Sequence, residues 1–130
     1  MNGSRAVLDS NVIIFLSKGQ LNVDKLFDRY DHFFVSLVTY MEVYGFSFGN
    51  EYEKALVDEL FAQLEIVGIH MEIAEQTIEY RKNGVKKIRL PDAIILATAC
   101  HLNADLVTDD WDDFSGIDET VKVVDLSFAK

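Results

Sequence analysis

Short apolar runs alternate along the chain with longer segments in which apolar residues recur at helical spacing. The short runs predict strands at residues 5–9, 33–36, 66–67, 105–108 and 121–125. The helical spacing predicts helices at residues 11–17, 22–30, 37–47, 51–64, 71–83 and 91–102. Since strands and helices alternate in this way, we expect an α/β fold with a mainly parallel central sheet flanked by helices on both faces.

Asparagine, glycine and proline mark the predicted ends of several helices. The dipeptide Asn83-Gly84 predicts the end of one helix, because both residues tolerate the left-handed backbone that closes many helices. Pro91 predicts the start of the next, because its fixed φ and missing N–H suit the first helical turn. No linker rich in proline, glycine or serine interrupts the pattern, so we expect one domain spanning residues 1–130.

Composition narrows the environment in which such a domain would work. Hydrophobic residues make up 49% of the 130 residues, which is enough for one sizeable core. No apolar run reaches the ~18 residues of a membrane span, and the N-terminal segment lacks the apolar centre of a signal peptide. The single cysteine, Cys100, excludes an internal disulfide and fits a reducing compartment. We therefore expect a cytoplasmic protein without membrane contact, in which Cys100 is a buried small hydrophobic residue.

Four acidic residues occupy positions that the predicted fold would bring together. Asp9 and Asp110 follow apolar strands, Glu42 lies in a helix, and Asp92 follows Pro91 at the head of an apolar helix. In parallel α/β folds, ligands bind outside the carboxyl ends of the strands, where Asp9 and Asp110 would project. Converging carboxylates are the ligands that Mg²⁺ and Mn²⁺ prefer. The pattern therefore indicates a metal-dependent phosphodiester hydrolase.

Each of these acids also has an ordinary structural interpretation. Asp9 precedes a predicted helix, where an aspartate commonly caps free N–H groups. Asp92 lies at a helix N-terminus, where the helix dipole favours a negative charge. Glu42 would then be a solvated helical residue, and Asp110 would belong to a solvated acidic loop. The four together, in this order, are more specific than any one of them.

The charge balance has two opposite implications for a nucleic-acid substrate. The net charge of −10 argues against tight binding through phosphate neutralisation alone, but a bound cation would supply positive charge locally. A basic cluster that leads directly into Asp92 would guide such a substrate. Its members are Arg81, Lys82, Lys86, Lys87 and Arg89. The alternative interpretation is a solvated helix end, where basic residues are also favoured.

Other common catalytic and metal-binding patterns are missing from the sequence. His32, His70 and His101 share no metal-ligand spacing, so we do not expect a zinc site. No serine at a strand-to-helix elbow pairs with a histidine, and no glycine-rich phosphate loop is present. A phosphotransfer receiver domain is disfavoured as well, because Asp9 is followed by Ser10 where an acidic pair is needed.

Four segments resemble the motifs of PIN domains, in order and at the usual spacing. Residues 7–14 (VLDSNVII) resemble the opening motif, and residues 39–42 (TYME) resemble the T-x-x-E helix. Residues 90–99 (LPDAIILATA) resemble the third motif, and residues 106–114 (LVTDDWDDF) resemble the last. The resemblance covers nearly the whole chain, whose size is similar to that of the VapC-type toxins of bacterial toxin–antitoxin pairs.

This resemblance implies a PIN-like three-layer fold and an Mg²⁺- or Mn²⁺-dependent ribonuclease that acts on RNA and forms a homodimer. The implied catalytic and metal-binding residues are Asp9, Glu42, Asp92 and Asp110. Asp113 ranks second to Asp110 for the last position and is a further possible metal ligand. The implied supporting residues are Ser10, Asn11, Thr39 and Thr108.

The resemblance also implies a protein partner. In VapC-like proteins, the C-terminal segment of a cognate antitoxin lies along helices near residues 44–49 (YGFSFG) and can push an arginine or lysine into the acidic site. The aromatic residues of positions 44–49 in this chain, and its net negative charge, suit a partner with apolar and basic side chains. The alternative function is a non-catalytic PIN-like binding module, whose acidic pocket holds a structural cation or only the partner's basic residues.

Overall fold

The computed structural model describes residues 3–130, which form a sheet of parallel strands with helices between them. The strands are β1 (Arg5–Leu8), β2 (His32–Ser36), β3 (Glu65–Val67), β4 (Asp105–Thr108) and β5 (Val123–Asp125). The helices are α1 (Ser10–Ser17), α2 (Val23–Phe27), α3 (Leu37–Tyr44), α4 (Glu51–Gln63), α5 (Met71–Asn83), α6 (Leu90–Leu102) and α7 (Trp111–Phe114). A 3₁₀ turn, Leu126–Ala129, follows β5.

The strand order places a topological switch beside the central strand. The sheet runs β3-β2-β1-β4-β5, and every neighbouring pair is parallel. The chain therefore moves outward from β1 in one direction through β2 and β3, and in the other through β4 and β5. Leu8 of β1 is in register with Val107 of β4, so Asp9 and Thr108 leave the sheet side by side. Ligand crevices of open α/β sheets lie at such a switch.

Apolar side chains of β1 point alternately to the two faces of the sheet and into two separate cores. Ala6 and Leu8 pack with α1, α2 and α4 on one face, whereas Val7 packs with α5, α6 and α7 on the other. Helix α3 spans both layers, because Val38 belongs to one core and Val43 to the other. The predicted three-layer α/β fold with a parallel central sheet is therefore confirmed.

The helix ends are mostly where the sequence predicts them, but one closes differently. Helix α5 does end at Asn83, yet Gly84 has an extended backbone (φ −68°, ψ 152°) rather than a left-handed one. A glycine is needed there for space, since a Cβ atom would lie 2.2 Å from the carbonyl oxygen of Tyr80. The left-handed cap belongs instead to Asn103 (φ 52°), which closes α6.

Several local features differ from the sequence prediction. Helix α2 is shorter than residues 22–30 and β5 begins at Val123, while α7 and the final 3₁₀ turn were not predicted. Cys100 is half-buried rather than buried, with its Sγ atom 3.8 Å from the hydroxyl of Thr120. Within residues 3–130, no helix combines the length and the apolar character that crossing a membrane requires.

Candidate active site

Asp9 lies at the carboxyl end of β1 and is fixed there by three hydrogen bonds. Its backbone N–H donates to the carbonyl of Val107 (3.1 Å), which extends the pairing of β1 with β4 by one residue. Its carboxylate accepts a hydrogen bond from the Ser10 N–H (2.7 Å) and another from the Thr108 hydroxyl (2.8 Å). The side chain is only 5% exposed. Asp9 therefore caps α1, as its ordinary interpretation predicts, and also holds a carboxylate in a fixed orientation at the sheet edge.

Thr108 connects Asp9 to the second acid of this edge. While its hydroxyl donates to Asp9, its oxygen accepts a hydrogen bond from the Asp110 N–H (2.9 Å). The Asn11 side-chain amide donates to the Asp110 carboxylate (3.1 Å), which ties the start of α1 to the loop after β4. Thr108 and Asn11 thus position the carboxylates of Asp9 and Asp110 relative to each other.

Glu42 reaches the same region from α3. The Ser10 hydroxyl lies 2.6 Å from Oε1 of Glu42 and 3.5 Å from the hydroxyl of Thr39, which is itself fully buried. Glu42 is exposed, as is its neighbour Met41, whereas Val43 is buried. Glu42 therefore lies on the solvent side of the acidic residues, linked to the Asp9 loop through Ser10.

Asp92 is presented by the first turn of α6, immediately after Pro91. Its side chain is buried, and one carboxylate oxygen accepts from both Nε and a terminal nitrogen of Arg89 at 3.3 Å. A small cavity of about 110 Å³ borders this pair, lined by Lys87, Ile88, Arg89, Asp92 and Asp113. Asp113 therefore adjoins Asp92, while Asp110 is linked to Asp9 through Thr108.

These acids are close enough to influence one another's protonation. Burial raises the pKa of Asp9 to about 6, with smaller upward contributions from the charges of Asp92 and Asp110, against the hydrogen bonds from Thr108 and Ser10. Burial also raises the pKa of Asp92, with smaller contributions from Asp113 and Glu42, while Arg89 opposes the shift. We call Asp9, Glu42, Asp92, Asp110 and Asp113 the acidic site. Like charges crowded in this way are what a bound cation would stabilise.

The donor atoms of the acidic site suit a hard divalent cation that keeps part of its water shell. Every side-chain donor is a carboxylate oxygen, the ligand type that Mg²⁺ and Mn²⁺ prefer. No three of these acids have ligand atoms that all lie within 4.8 Å of one another. Within residues 3–130, a single group of three side chains outside the acidic site meets that condition. Mg²⁺ commonly binds proteins through one or two carboxylates and several waters. The spacing therefore fits a few direct ligands, with the remaining acids acting through water.

Comparison with known proteins identifies the family of the chain. The family model of the PIN domain matches residues 6–120. The chain belongs to the PIN domain family. No curated protein sequence gives a match.

Solved structures extend this finding. A chain of a toxin–antitoxin complex from Klebsiella pneumoniae is 32% identical to this PIN domain, with a TM-score of 0.75 over 89% of this chain and 94% of that one. A chain of VapBC2 from Rickettsia felis, bound to a promoter DNA fragment, has a TM-score of 0.77 at 20% identity, covering 93% and 98%. A chain of DNA-bound VapBC from Salmonella typhimurium has a TM-score of 0.76 at 23% identity, covering 95% and 98%. The last two show the fold alone, and the predicted resemblance to VapC-type PIN domains is confirmed at the level of family and fold.

Two members of the basic cluster of this PIN domain, Lys87 and Arg89, share a small cavity with Asp92 and Asp113 of the acidic site. The Arg81 side chain donates to the carbonyl of Ile88 (3.3 Å), and the Lys86 ammonium group donates to the backbone carbonyl of Asp112. Arg81, Lys87 and Arg89 also line an open recess of about 460 Å³ that shares residues with the small cavity beside Asp92. Lys82 is exposed in the last turn of α5. Contact of these residues with RNA stays a prediction.

A second group of metal-ligand side chains was missed by the sequence analysis. His70, Glu72 and His101 place one ligand atom each so that all three lie within 4.8 Å of one another. We call these residues the histidine cluster. His70 and Glu72 belong to the start of α5 and His101 to the last turn of α6, so no local spacing reveals them. The spacing of the histidines in the sequence predicts no metal site, but the fold brings His70 and His101 together with Glu72.

Proposed function

We propose that this PIN domain is a metal-dependent endoribonuclease that hydrolyses RNA phosphodiester bonds at the acidic site. The observation that carries the proposal is the environment of Asp9. It is a buried carboxylate at the switch point of the sheet, and it is close enough to Asp92 and Asp110 for their charges to raise its pKa. Burying several acids close together costs stability, and buried charges are found paired with opposite charges or coordinating metal ions. Acids whose pKa is shifted in this way are concentrated at functional sites.

Direct and indirect roles follow from the contacts of each acid. Asp9, Asp92 and Asp110 are the residues that would hold Mg²⁺ or Mn²⁺, with Glu42 and Asp113 acting through water. The bound cation would lower the pKa of a coordinated water and neutralise charge on the phosphate in the transition state. Thr108 and the Ser10 N–H hold the Asp9 carboxylate in place, and Asn11 does the same for Asp110. Ser10 also keeps Glu42 directed toward the site.

Substrate guidance is proposed for the basic cluster. Arg89 is mostly solvent-exposed although its guanidinium contacts Asp92, so it can exchange this partner for a phosphate oxygen. Lys87 lines the same small cavity as Asp92 and Asp113. Positive charge next to the acids would offset the repulsion between an RNA backbone and a chain of net charge −10.

The test is cleavage of labelled RNA by the purified chain with Mg²⁺, with Mn²⁺ and with excess chelator. The matched variants are the double substitution Asp9→Asn/Asp92→Asn and the control Asp24→Asn/Asp28→Asn, which changes two exposed aspartates of and beside α2. We expect cleavage with either metal, loss of cleavage in chelator or in the acidic-site variant, and normal cleavage in the control. Persistent cleavage by pure, folded Asp9→Asn/Asp92→Asn protein would rule out the assignment.

We further propose that the protein is the toxin of a toxin–antitoxin pair and that it forms a homodimer. The Klebsiella pneumoniae relative is described as part of such a complex. Exposed apolar side chains on and around α3 offer a surface for an antitoxin segment close to the acidic site; they are Leu37, Tyr40, Met41, Phe46 and Tyr52. Co-purification with the product of the adjacent gene, and light scattering of the chain alone, test the two parts. Failure to recover a partner would contradict the proposal of a toxin–antitoxin pair. A monomeric mass would contradict the proposal of a homodimer.

The ion pair of Arg89 with Asp92 favours one second candidate function. It shows that a guanidinium fits against this acid, as the basic side chain of a bound partner would. If the acidic site holds only a partner's basic side chain or a structural cation, the domain is a non-catalytic binding module. Thermal unfolding with added metal, measured beside RNA cleavage, separates the two functions. A structural cation raises stability without producing RNA cleavage.

A further inference from the structure

The histidine cluster lies on a different part of the fold from the acidic site and uses different donor atoms. His70 is the N-cap residue of α5 and its side chain makes no capping hydrogen bond. Glu72 is in the first turn of the same helix, and His101 is in the last turn of α6. The cluster therefore joins the start of one helix to the end of its packing partner.

The three side chains already approach the geometry of a metal site. Nδ1 of His101 lies 3.5 Å from Oε2 of Glu72, and the rings of His70 and His101 have centroids 4.5 Å apart at an angle of 67°. Zinc bound at about 2.0–2.2 Å in a tetrahedral site needs ligand atoms about 3.3–3.6 Å apart. The largest separation in the cluster is within 4.8 Å. Because all three residues are exposed, modest side-chain rotations would close the difference.

The surroundings also permit access by an ion. The cluster borders an open recess of about 480 Å³, lined by His70, Met71, Glu72 and His101. Among the described residues that line this recess there is no arginine or lysine, so neither type of side chain competes with an ion for the Glu72 carboxylate. The net charge of −10 favours approach of a cation. The site is thus reachable from solvent without any change in the core.

We propose that His70, Glu72 and His101 form a site for a borderline transition-metal ion of the Zn²⁺ class, with water completing the coordination. Two imidazole nitrogens and one carboxylate oxygen suit Zn²⁺, Co²⁺ or Ni²⁺, whereas Mg²⁺ prefers oxygen donors throughout. A bound ion would link the N-terminus of α5 to the C-terminus of α6 and stabilise the layer that carries Asp92. The proposal is independent of the ribonuclease function.

The test is calorimetric titration of Zn²⁺ into the full chain in excess Mg²⁺, with the acidic site disabled by Asp9→Asn/Asp92→Asn. The variants are His70→Ala and His101→Ala, and the matched control is His32→Ala, which changes an exposed histidine at the start of β2. We expect one saturable Zn²⁺ site that weakens by about 100-fold or more in either cluster variant, since even outer-shell changes cost about 10–100-fold. The control should bind like the parent.

A second readout keeps the proposal falsifiable if heat signals are small. Co²⁺ bound by these three side chains and water should absorb visible light far more strongly than hexahydrated Co²⁺, and Zn²⁺ should displace the signal. Absence of a saturable site, or Zn²⁺ binding that His70→Ala and His101→Ala leave unchanged, would overturn the proposal. An equal loss of Zn²⁺ binding in His32→Ala would overturn it as well.

Discussion

The acidic site and the histidine cluster both collect metal-ligand side chains, yet the fold builds them in opposite ways. Asp9 and Asp92 are buried and held by hydrogen bonds or an ion pair at the carboxyl edge of the sheet. His70, Glu72 and His101 are exposed at helix ends and contact one another, with Nδ1 of His101 3.5 Å from Oε2 of Glu72. A fixed set of oxygen donors at a switch point suits chemistry on a bound substrate. An exposed set of two imidazoles and one carboxylate away from that switch point suits binding of a transition-metal ion.

Substitutions in one site at a time test most directly whether the acidic site and the histidine cluster act independently. Asp9→Asn should lower RNA cleavage by about 100-fold or more, because loss of a direct ligand exceeds the 10–100-fold typical of outer-shell changes. The same substitution should leave Zn²⁺ affinity unchanged. His70→Ala/His101→Ala should do the reverse, and parallel cleavage and Zn²⁺ titrations check both. A histidine variant that loses cleavage as severely as Asp9→Asn would show that the sites are not separate.

The rigidity of the acidic site is tested by Thr108→Val. This change removes the hydrogen bond to Asp9 and the acceptor for the Asp110 N–H, so we expect about 10–100-fold slower cleavage. Thr77→Val is the matched control, because Thr77 is also buried and its hydroxyl bonds only the Ile73 carbonyl of its own helix. Equal cleavage rates in the two variants would mean that the position of Asp9 does not depend on Thr108.

Burial of Asp9 should also appear in the pH dependence of stability without metal. The folded pKa of about 6 lies above the ordinary value of 3.8, so the folded state holds this proton more tightly than the unfolded state. Protonated Asp9 therefore makes its full contribution to the free energy of unfolding below about pH 4. This contribution, at most about 3 kcal/mol, is lost as the pH rises through 6.

Denaturant unfolding in chelator, compared between the parent and Asp9→Asn, isolates this effect from other titrating groups. The stability of Asp9→Asn relative to the parent should increase between pH 4 and pH 7. A difference that does not change over this range would show that burial of the Asp9 carboxylate does not destabilise the folded state.

The smallest expected effect concerns the basic cluster. Lys86→Glu/Lys87→Glu should weaken RNA binding and reduce the slope of log affinity against log salt by about 1 for each phosphate group that the variant no longer neutralises. The control is Lys25→Glu/Lys122→Glu, which makes the same charge change on α2 and before β5. If both variants show the same slope, the lysines beside Asp92 act only through overall charge.

Much of the fold and of the acidic site was predictable, because short-range patterns encode both. Strands β1 and β4 contain the short apolar runs that predict them, and Pro91 does lie in the first turn of the helix that carries Asp92. The order of these elements was enough to expect Asp9 and Asp110 at one sheet edge. The assignment of catalytic and metal-binding roles to these residues stays a prediction.

What could not be predicted depends on three-dimensional packing, both within a helix end and between distant parts of the chain. Gly84 closes α5 by avoiding the Tyr80 carbonyl, a matter of local crowding rather than of left-handed preference. The position of Asp113 beside the Arg89–Asp92 pair depends on how the loop before α6 packs against α7. His70 meets His101 only because α5 and α6 lie side by side.

The central claim is that the acidic site holds Mg²⁺ or Mn²⁺ through Asp9 and its neighbours. Calorimetric titration of Mn²⁺ into the His70→Ala/His101→Ala variant tests it most directly, since the histidine cluster can then no longer bind the metal. The account predicts saturable binding that is lost when Asp9→Asn is added to the same variant. No binding at millimolar Mn²⁺, or binding that persists with Asp9→Asn, would contradict it.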